Sequence, residues 1–351
     1  MKFPINFFYH KYFNYLLIRA LCFGLRKLIE IKYFKESMTL FLMFLGESFS
    51  LFVYLYQKYF LLDKVEKNEN KSYEISFNIN QKIKNYFMIF IISLCDVIGC
   101  YNFKIIGSNK TILKNNFNII FLCVFIALNE HIYLNIQTYN YHILGYILYI
   151  ISLIIDLFIN MDEFNKYIIF LLIISLESQY IESLFFIFEK TLNHNYFIKI
   201  TYICFLEGLF GMIIVFIFYL SPFTSYKLFP QQKNIFIILI YCFLTCIINL
   251  CRLRITELSR PSNNLIGRIL CTLSINIVSS IFDDNNEKYI WNKQNIMIIF
   301  FLLIGAFIYC EVITLHFLNL DKNLTNNIID RGNKETNALR NCDLINQSIN
   351  Y

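Results

Sequence analysis

The stretch CFLEGLFGMIIVFIFYL, Cys204 to Leu220, decides the fold. It is long enough to cross a bilayer as a helix, and its one acid, Glu207, stands inside an otherwise apolar run. Upstream, MFLGESFSLFVYLY from Met43 to Tyr56 follows the same grammar: Phe-Leu, then Gly and Glu in swapped order, then aromatic and aliphatic residues. Two copies of one pattern point to a chain built from two related halves.

The surrounding composition supports a membrane setting. Of 351 residues, 57% are hydrophobic and 16% charged, which is far more apolar than a soluble domain of this size needs, so the chain reads as an integral membrane protein. The abundance of Phe, Tyr, Ile, Asn and Lys fits coding bias from an AT-rich genome, and single Asn or Lys residues carry little weight. The formal net charge of +6 lies mostly in loops, where basic residues set orientation, and nucleic acid is not expected as a partner. Cys95, Cys123, Cys204, Cys242, Cys246, Cys271 and Cys310 all fall in apolar runs without metal-ligand spacing. They read as small core residues, and no metal or other cofactor is expected.

Working outward, apolar segments at about 12–33, 38–61, 86–107, 111–129 and 141–160 form a first half over residues 1–160. Segments at about 165–188, 199–221, 234–256, 262–282 and 296–318 form a second half over residues 161–319. The first segment carries Arg19 and competes with a signal-anchor or targeting reading. A polar loop is expected from Asp63 to about Lys84, and a disordered polar tail from Leu320 to Tyr351. An odd number of helices per half turns the second half upside down, so the expected fold is all-α, with ten transmembrane helices in two inverted five-helix repeats. With both termini in the cytosol, about sixteen Lys and Arg face that side against about eleven outside, a modest bias in the expected direction.

An ionisable side chain at membrane depth costs about 2.5–3.5 kcal/mol on insertion scales, and this chain keeps several. The acids are Glu47, Asp96, Asp156, Glu177, Glu182, Glu207 and Glu311; the bases are Lys104, Lys114, Arg268 and Arg19, with Arg252 and Arg254 near a helix end. Asp156, Glu311, Lys104 and Glu182 lie close enough to segment ends to snorkel. Glu47 and Glu207 are deeper, beside Gly46 and Gly208, and either pair with a base or line a cavity. Asp96 in LCDVIGC and Glu177 in SLESQY are mid-helix, without a base nearby on their own helix, and are cavity candidates. The pairs Asn115–Asn116 and Asn263–Asn264 open the fourth and ninth segments in matching places. Gly46, Gly208 and Gly211 are candidates for close helix packing. The five histidines are scattered, and neither a nucleophile–base pair nor a phosphate loop is present, so the chain is not expected to be an enzyme.

Taken together, MFLGE (43 to 47), LCDVIG (94 to 99), FEK (188 to 190), LEGLFG (206 to 211) and TELS (256 to 259) resemble the drug and metabolite transporter superfamily. The likeness is to its nucleotide-sugar-transporter-like solute carrier 35 branch, nearest subfamily F, and LEGLFG is its most specific element. The resemblance implies ten helices in two inverted repeats, alternating access around a central cavity, and residence in an intracellular membrane such as Golgi, vacuole or lysosome, or plastid envelope. In that family the fourth and ninth helices each bring an arginine to the cavity near their start. The aligned positions here are Asn115 and Leu270, with bases displaced to Lys114 and Arg268. One residue of displacement turns a helix position by about 100° and two by about 200°, which weakens the implication of phosphate recognition.

The expected function is therefore a secondary transporter of a small polar metabolite, working as an exchanger or with protons. The substrate-site candidates are Glu47, Asp96, Lys114, Asn115, Glu177, Glu207, Asn263 and Arg268. The excess of acids suits a cationic or neutral solute, and the charge of the substrate stays open. The competing readings are a non-transporting interaction or scaffold protein with the same fold and, further off, a membrane-embedded enzyme. The partners expected are a small-molecule solute and the lipid bilayer, with a homodimer left open.

Overall fold

The computed structural model describes residues 12–34, 39–61, 79–107, 113–135, 140–159, 166–196, 199–220, 234–282 and 293–312. The described residues are almost wholly helical. In chain order the helices are α1 (Phe13–Tyr33), α2 (Thr39–Ser48), α3 (Ser50–Tyr56), α4 (Ile79–Gly107), α5 (Leu113–Leu134), α6 (Asn140–Ile159), α7 (Lys166–Tyr196), α8 (Ile200–Leu220), α9 (Ile235–Leu258), α10 (Asn263–Phe282) and α11 (Lys293–Tyr309). Four stretches are long and apolar enough to cross a bilayer: Thr39–Phe60, Ile83–Cys100, Ile200–Phe218 and Ile235–Leu258. Asn118–Leu134, His142–Asp156, Asn263–Val278 and Ile296–Tyr309 are shorter apolar helices.

Large apolar side chains point outward all around the bundle. Phe60 is 77% exposed, Phe158 72%, Ile235 70% and Phe236 68%. Water would penalise such a surface heavily, whereas lipid tails accept it. Polar groups meanwhile turn inward: Arg19, Glu47, Glu189, Glu207, Arg252 and Asn264 are all buried. This inside-out distribution is that of a membrane-embedded helical protein.

The segment expected at about 38–61 is not one uninterrupted helix. Ser48 donates its hydroxyl to the Leu45 carbonyl at 2.6 Å, and the Phe49 amide bonds back only three residues, to Gly46, at 3.1 Å. A side chain that competes for a helix carbonyl bends the helix, and here the break between α2 and α3 falls two residues from Glu47. After α3 the chain continues as one π-helical turn, Gln57–Leu61, a form often found at functional sites. The polar loop expected as far as Lys84 stops short, because α4 already begins at Ile79. The rest of that loop and the tail from Leu320 lie outside the described residues.

Each helix packs on definite partners. α1 lies against α9 and α10, and α7 lies against α4 and α5. α9 packs on the second segment through α2, as α4 packs on α8. Two further pairs, α2 with α8 and α6 with α11, join the first half of the chain to the second. Helix ends also meet as up-and-down threading requires. Lys190, late in α7, reaches the end of α9 at Thr256 and Ser259. Glu130, in the last turns of α5, accepts from the Ser262 amide before α10 and from Tyr309 at the end of α11. At the opposite ends, Tyr241 early in α9 donates to Glu30 late in α1 at 2.8 Å.

Glycines bring three pairs of helices into close backbone contact. Gly145 on α6 faces Gly305 on α11, where an added Cβ would lie 3.0 Å from the Gly305 carbonyl oxygen. Gly208 on α8 lies against α2 at Phe44, Glu47 and Ser48, at the crossing that carries the two acids of the repeated sequence pattern, while Gly46 on α2 lies against α9 at Cys242 and Thr245. A Cβ at Gly46 would stand 2.6 Å from the Cys242 carbonyl, and one at Gly211 would enter the ring of Phe44. At each of Gly46, Gly208 and Gly211 a side chain would collide with the neighbouring helix, the close approach that small residues allow in membrane helices.

Candidate functional site

The close crossing of α2 and α8 carries Glu47 and Glu207 into the interior, where α7 and α9 add Glu189 and Arg252. One guanidinium nitrogen, Arg252 Nη2, lies 3.0 Å from Glu189 Oε1 and 3.0 Å from Glu207 Oε2. The contact with Glu207 is a well-formed hydrogen bond, whereas that with Glu189 is close but poorly aligned, so Glu189 has charge proximity without a hydrogen bond. The same guanidinium lies over the Phe185 ring, 4.4 Å from its centre. Glu47 Oε1 accepts from Asn249 Nδ2 at 2.6 Å, and Cys204 Sγ contacts the Glu47 carbonyl at 3.8 Å. Glu47 and Glu189 are fully buried, with Glu207 at 2% exposure and Arg252 at 6%.

Beside this cluster runs a second polar chain. Arg19 donates from Nη1 to Asn264 Oδ1 at 3.0 Å, Asn264 donates to Thr256 Oγ1 at 2.8 Å, and Thr256 donates to the Arg252 carbonyl at 3.1 Å. It links α1, α10 and α9, and explains how α1 keeps an arginine in an apolar setting. Asn263 opens α10, buried, with its Oδ1 unpartnered.

A less enclosed layer adjoins the cluster. Arg268 on α10 and Glu182 on α7 approach to 3.5 Å with side chains 24% and 21% exposed. Asp96 on α4 is half-buried, takes a contact from Cys100 Sγ at 3.5 Å, and lies within electrostatic reach of Arg252, Glu182 and Arg268. With its amide nitrogen turned toward its acceptors, Gln179 reaches Glu182 Oε2 at 3.2 Å and the Asn118 carbonyl at 3.1 Å. Helices from both halves thus contribute to one polar region.

At one end of the bundle the helix termini are tied together by charged side chains. Lys190 Nζ donates to the carbonyls of Ser259 at 2.7 Å, Thr256 at 2.9 Å and Glu257 at 3.3 Å, satisfying the open end of α9. Arg260 next to it pairs with Glu311 at 3.5 Å and meets His142 Nε2 at 3.4 Å. Glu311 holds a left-handed backbone, φ 60°, just past α11. Replacing Lys190 with Met keeps the stem and removes the charged donor. Loss of one such charge-assisted set is expected to lower stability by about 2–3 kcal/mol, read as a lower Tm in lipid nanodiscs.

Of the expected site residues, Glu47, Glu207, Asp96 and Arg268 fall in or beside the cluster. Glu177 is exposed on α7 and is not one of its members. Lys114 and Asn115 open α5, but their side chains lie outside the described residues. Glu182 and Arg252, placed near helix ends by the sequence, pair across helices, Glu182 with Arg268 and the buried Arg252 with Glu189 and Glu207. Glu189 was not among the expected intramembrane acids, because FEK reads as the end of a helix while α7 continues to Tyr196. Glu182 and Glu189 are seven residues apart, two helical turns on one face, and that spacing is the signal that could have found it. Neither a comparison with protein-family models nor one with curated proteins returns a match to this chain.

Proposed function

We propose that the protein is a secondary transporter that carries a small polar solute across a membrane by alternating access between two inverted five-helix halves. The observation that carries this reading is a buried cluster of three carboxylates and one arginine to which helices of both parts of the chain contribute. Maintaining buried charge there costs stability, and such groups in membrane helices mark pathways for solutes and ions. The partner pattern supports the repeat: exchanging the first five segments for the second five maps α1 on α9 and α10 onto α7 on α4 and α5. The tying of helix ends by Lys190, Arg260 and Glu130, beside the half-buried Asp96, Glu182 and Arg268, is compatible with a carrier occluded on one side.

The solute is neutral or cationic on this reading. Arg252 is already engaged by two carboxylates, and an anion would meet Glu47, Glu182, Glu189 and Glu207 with little free positive charge. The membrane is an intracellular one, with both termini cytosolic. Full burial of Glu47 and Glu189 favours a second reading, a non-transporting interaction protein that retains the fold. A solute screen by thermal shift in nanodiscs separates them. The transporter reading expects a neutral or cationic solute to raise Tm in the native chain and not in Asp96→Asn, while a flat response across amino acids, polyamines, sugars and nucleotides supports the second reading.

A further inference from the structure

We propose that Glu47, Glu189 and Glu207 around Arg252 form a proton-binding site, loaded and emptied in each transport cycle. The inference rests on the transporter reading and deepens it by naming the coupling ion. Two carboxylates, Glu189 and Glu207, share one nitrogen of the Arg252 guanidinium, and Glu47, bonded to Asn249, lies within electrostatic reach of the same charge. Buried polar atoms are left over on every member: Glu47 Oε2, both Glu189 oxygens, Glu207 Oε1 and Arg252 Nε have no hydrogen-bond partner. Asn249 supplies a donor to Glu47 Oε1 only. A buried carboxylate oxygen without a donor is costly, and a proton removes the charge and turns the acceptor into a donor.

The surroundings do not supply the missing positive charge. Facing the cluster are Arg19 and Arg26 from α1, Asp96 and Cys100 from α4, Glu182 from α7, Cys204 from α8, Cys246 from α9 and Arg268 from α10. Arg19 is bonded to Asn264, Arg26 is paired with Glu30 and Arg268 with Glu182, so among the described residues each of these bases already has a partner. Among the described residues, no group of three or more His, Cys, Asp or Glu side chains is arranged to hold a metal ion. The proton is the cation that fits. Asp96, half-buried beside the cluster, is the positioned entry between it and the less enclosed layer.

The test needs no knowledge of the solute. The full chain in lipid nanodiscs is titrated with acid and base while the carbonyl stretch of protonated carboxyl groups is followed by infrared absorption. A high-frequency band from weakly hydrogen-bonded acid is expected to bleach as pH rises, and to lose amplitude in Glu47→Gln, Glu189→Gln or Glu207→Gln. Using three single variants keeps the test open when one of them does not fold. A band that is absent, or unchanged in every folded variant, overturns the proposal. In liposomes, an imposed gradient of about one pH unit is expected to accumulate a transported solute about tenfold at one proton per solute. Flux driven by a sodium gradient and indifferent to pH overturns the proton site while leaving transport standing. A titrating band lost in the variants, without flux of any solute, keeps the proton site and removes the transporter reading.

Discussion

Arg252→Met is expected to be the most damaging single substitution in the chain. It removes the one cation shared by Glu189 and Glu207 and leaves their buried carboxylates facing Glu47 without compensation. Breaking a buried pair from one side costs about 3–5 kcal/mol, because the surviving charge keeps its desolvation penalty. That is comparable with the whole stability of many domains, so the variant should yield little monodisperse protein. Arg252→Lys keeps a charge but loses the planar fork and the stacking on Phe185, and should fall between the two. The informative partner is the triple change Arg252→Met, Glu189→Gln, Glu207→Gln. With the directly paired charges removed together, partial recovery of a sharp melting transition is expected, since replacing a buried ion pair is often neutral, while Glu47 keeps only its Asn249 donor. Size-exclusion profiles and Tm in nanodiscs read both, and an Arg252→Met variant as stable as the native chain would contradict the ion-pair account.

The second large effect is steric. A Cβ at Gly208 would lie 2.5 Å from the Ser48 amide nitrogen, 2.7 Å from the Phe44 carbonyl oxygen and 2.8 Å from Glu47 Cβ. Two of those atoms are backbone, so relief requires α2 and α8 to part. Overpacking a close interface costs about 1–3 kcal/mol and sometimes more, and Gly208→Val is expected at or above the top of that range. Separation would also displace Glu47 from Glu207, so stability and solute response should fall together. Gly99 on α4 is the control: nothing stands within 4 Å of its Cβ position. Gly99→Ala is expected to be neutral or to stabilise by about 0.5–1 kcal/mol through helix propensity. Equal losses at Gly99 and Gly208 would show that contact between backbones is not what Gly208 provides.

Much of this architecture was legible from apolar periodicity and segment length alone. The helical, membrane-embedded character followed from long apolar runs, and the repetition at Gly46–Glu47 and Glu207–Gly208 singled out two acids that the fold buries. What one sequence hides is which interior charges meet. Arg252 and Glu189 are 63 residues apart and each stands beside another charge, Arg254 and Lys190, so both looked like residues at a membrane surface. In the folded chain only the second member of each pair turns to a surface role: Arg254 pairs with Glu257, and Lys190 caps α9. A helix places neighbours about 100° apart, so adjacent charges seldom share a fate. The break after α2 was invisible for a related reason. It depends on Ser48 bonding to a local carbonyl, and serines make that choice according to context.

Transport itself is tested most directly by exchange in proteoliposomes. The purified chain is reconstituted and offered radiolabelled amino acids, polyamines, basic drugs, sugar phosphates and nucleotides, with and without a pH gradient. The account predicts saturable flux of a neutral or cationic solute that is lost in Glu207→Gln and Asp96→Asn while both variants retain a native-like melting transition. Absence of flux for every solute, or flux that both variants leave untouched, would contradict it.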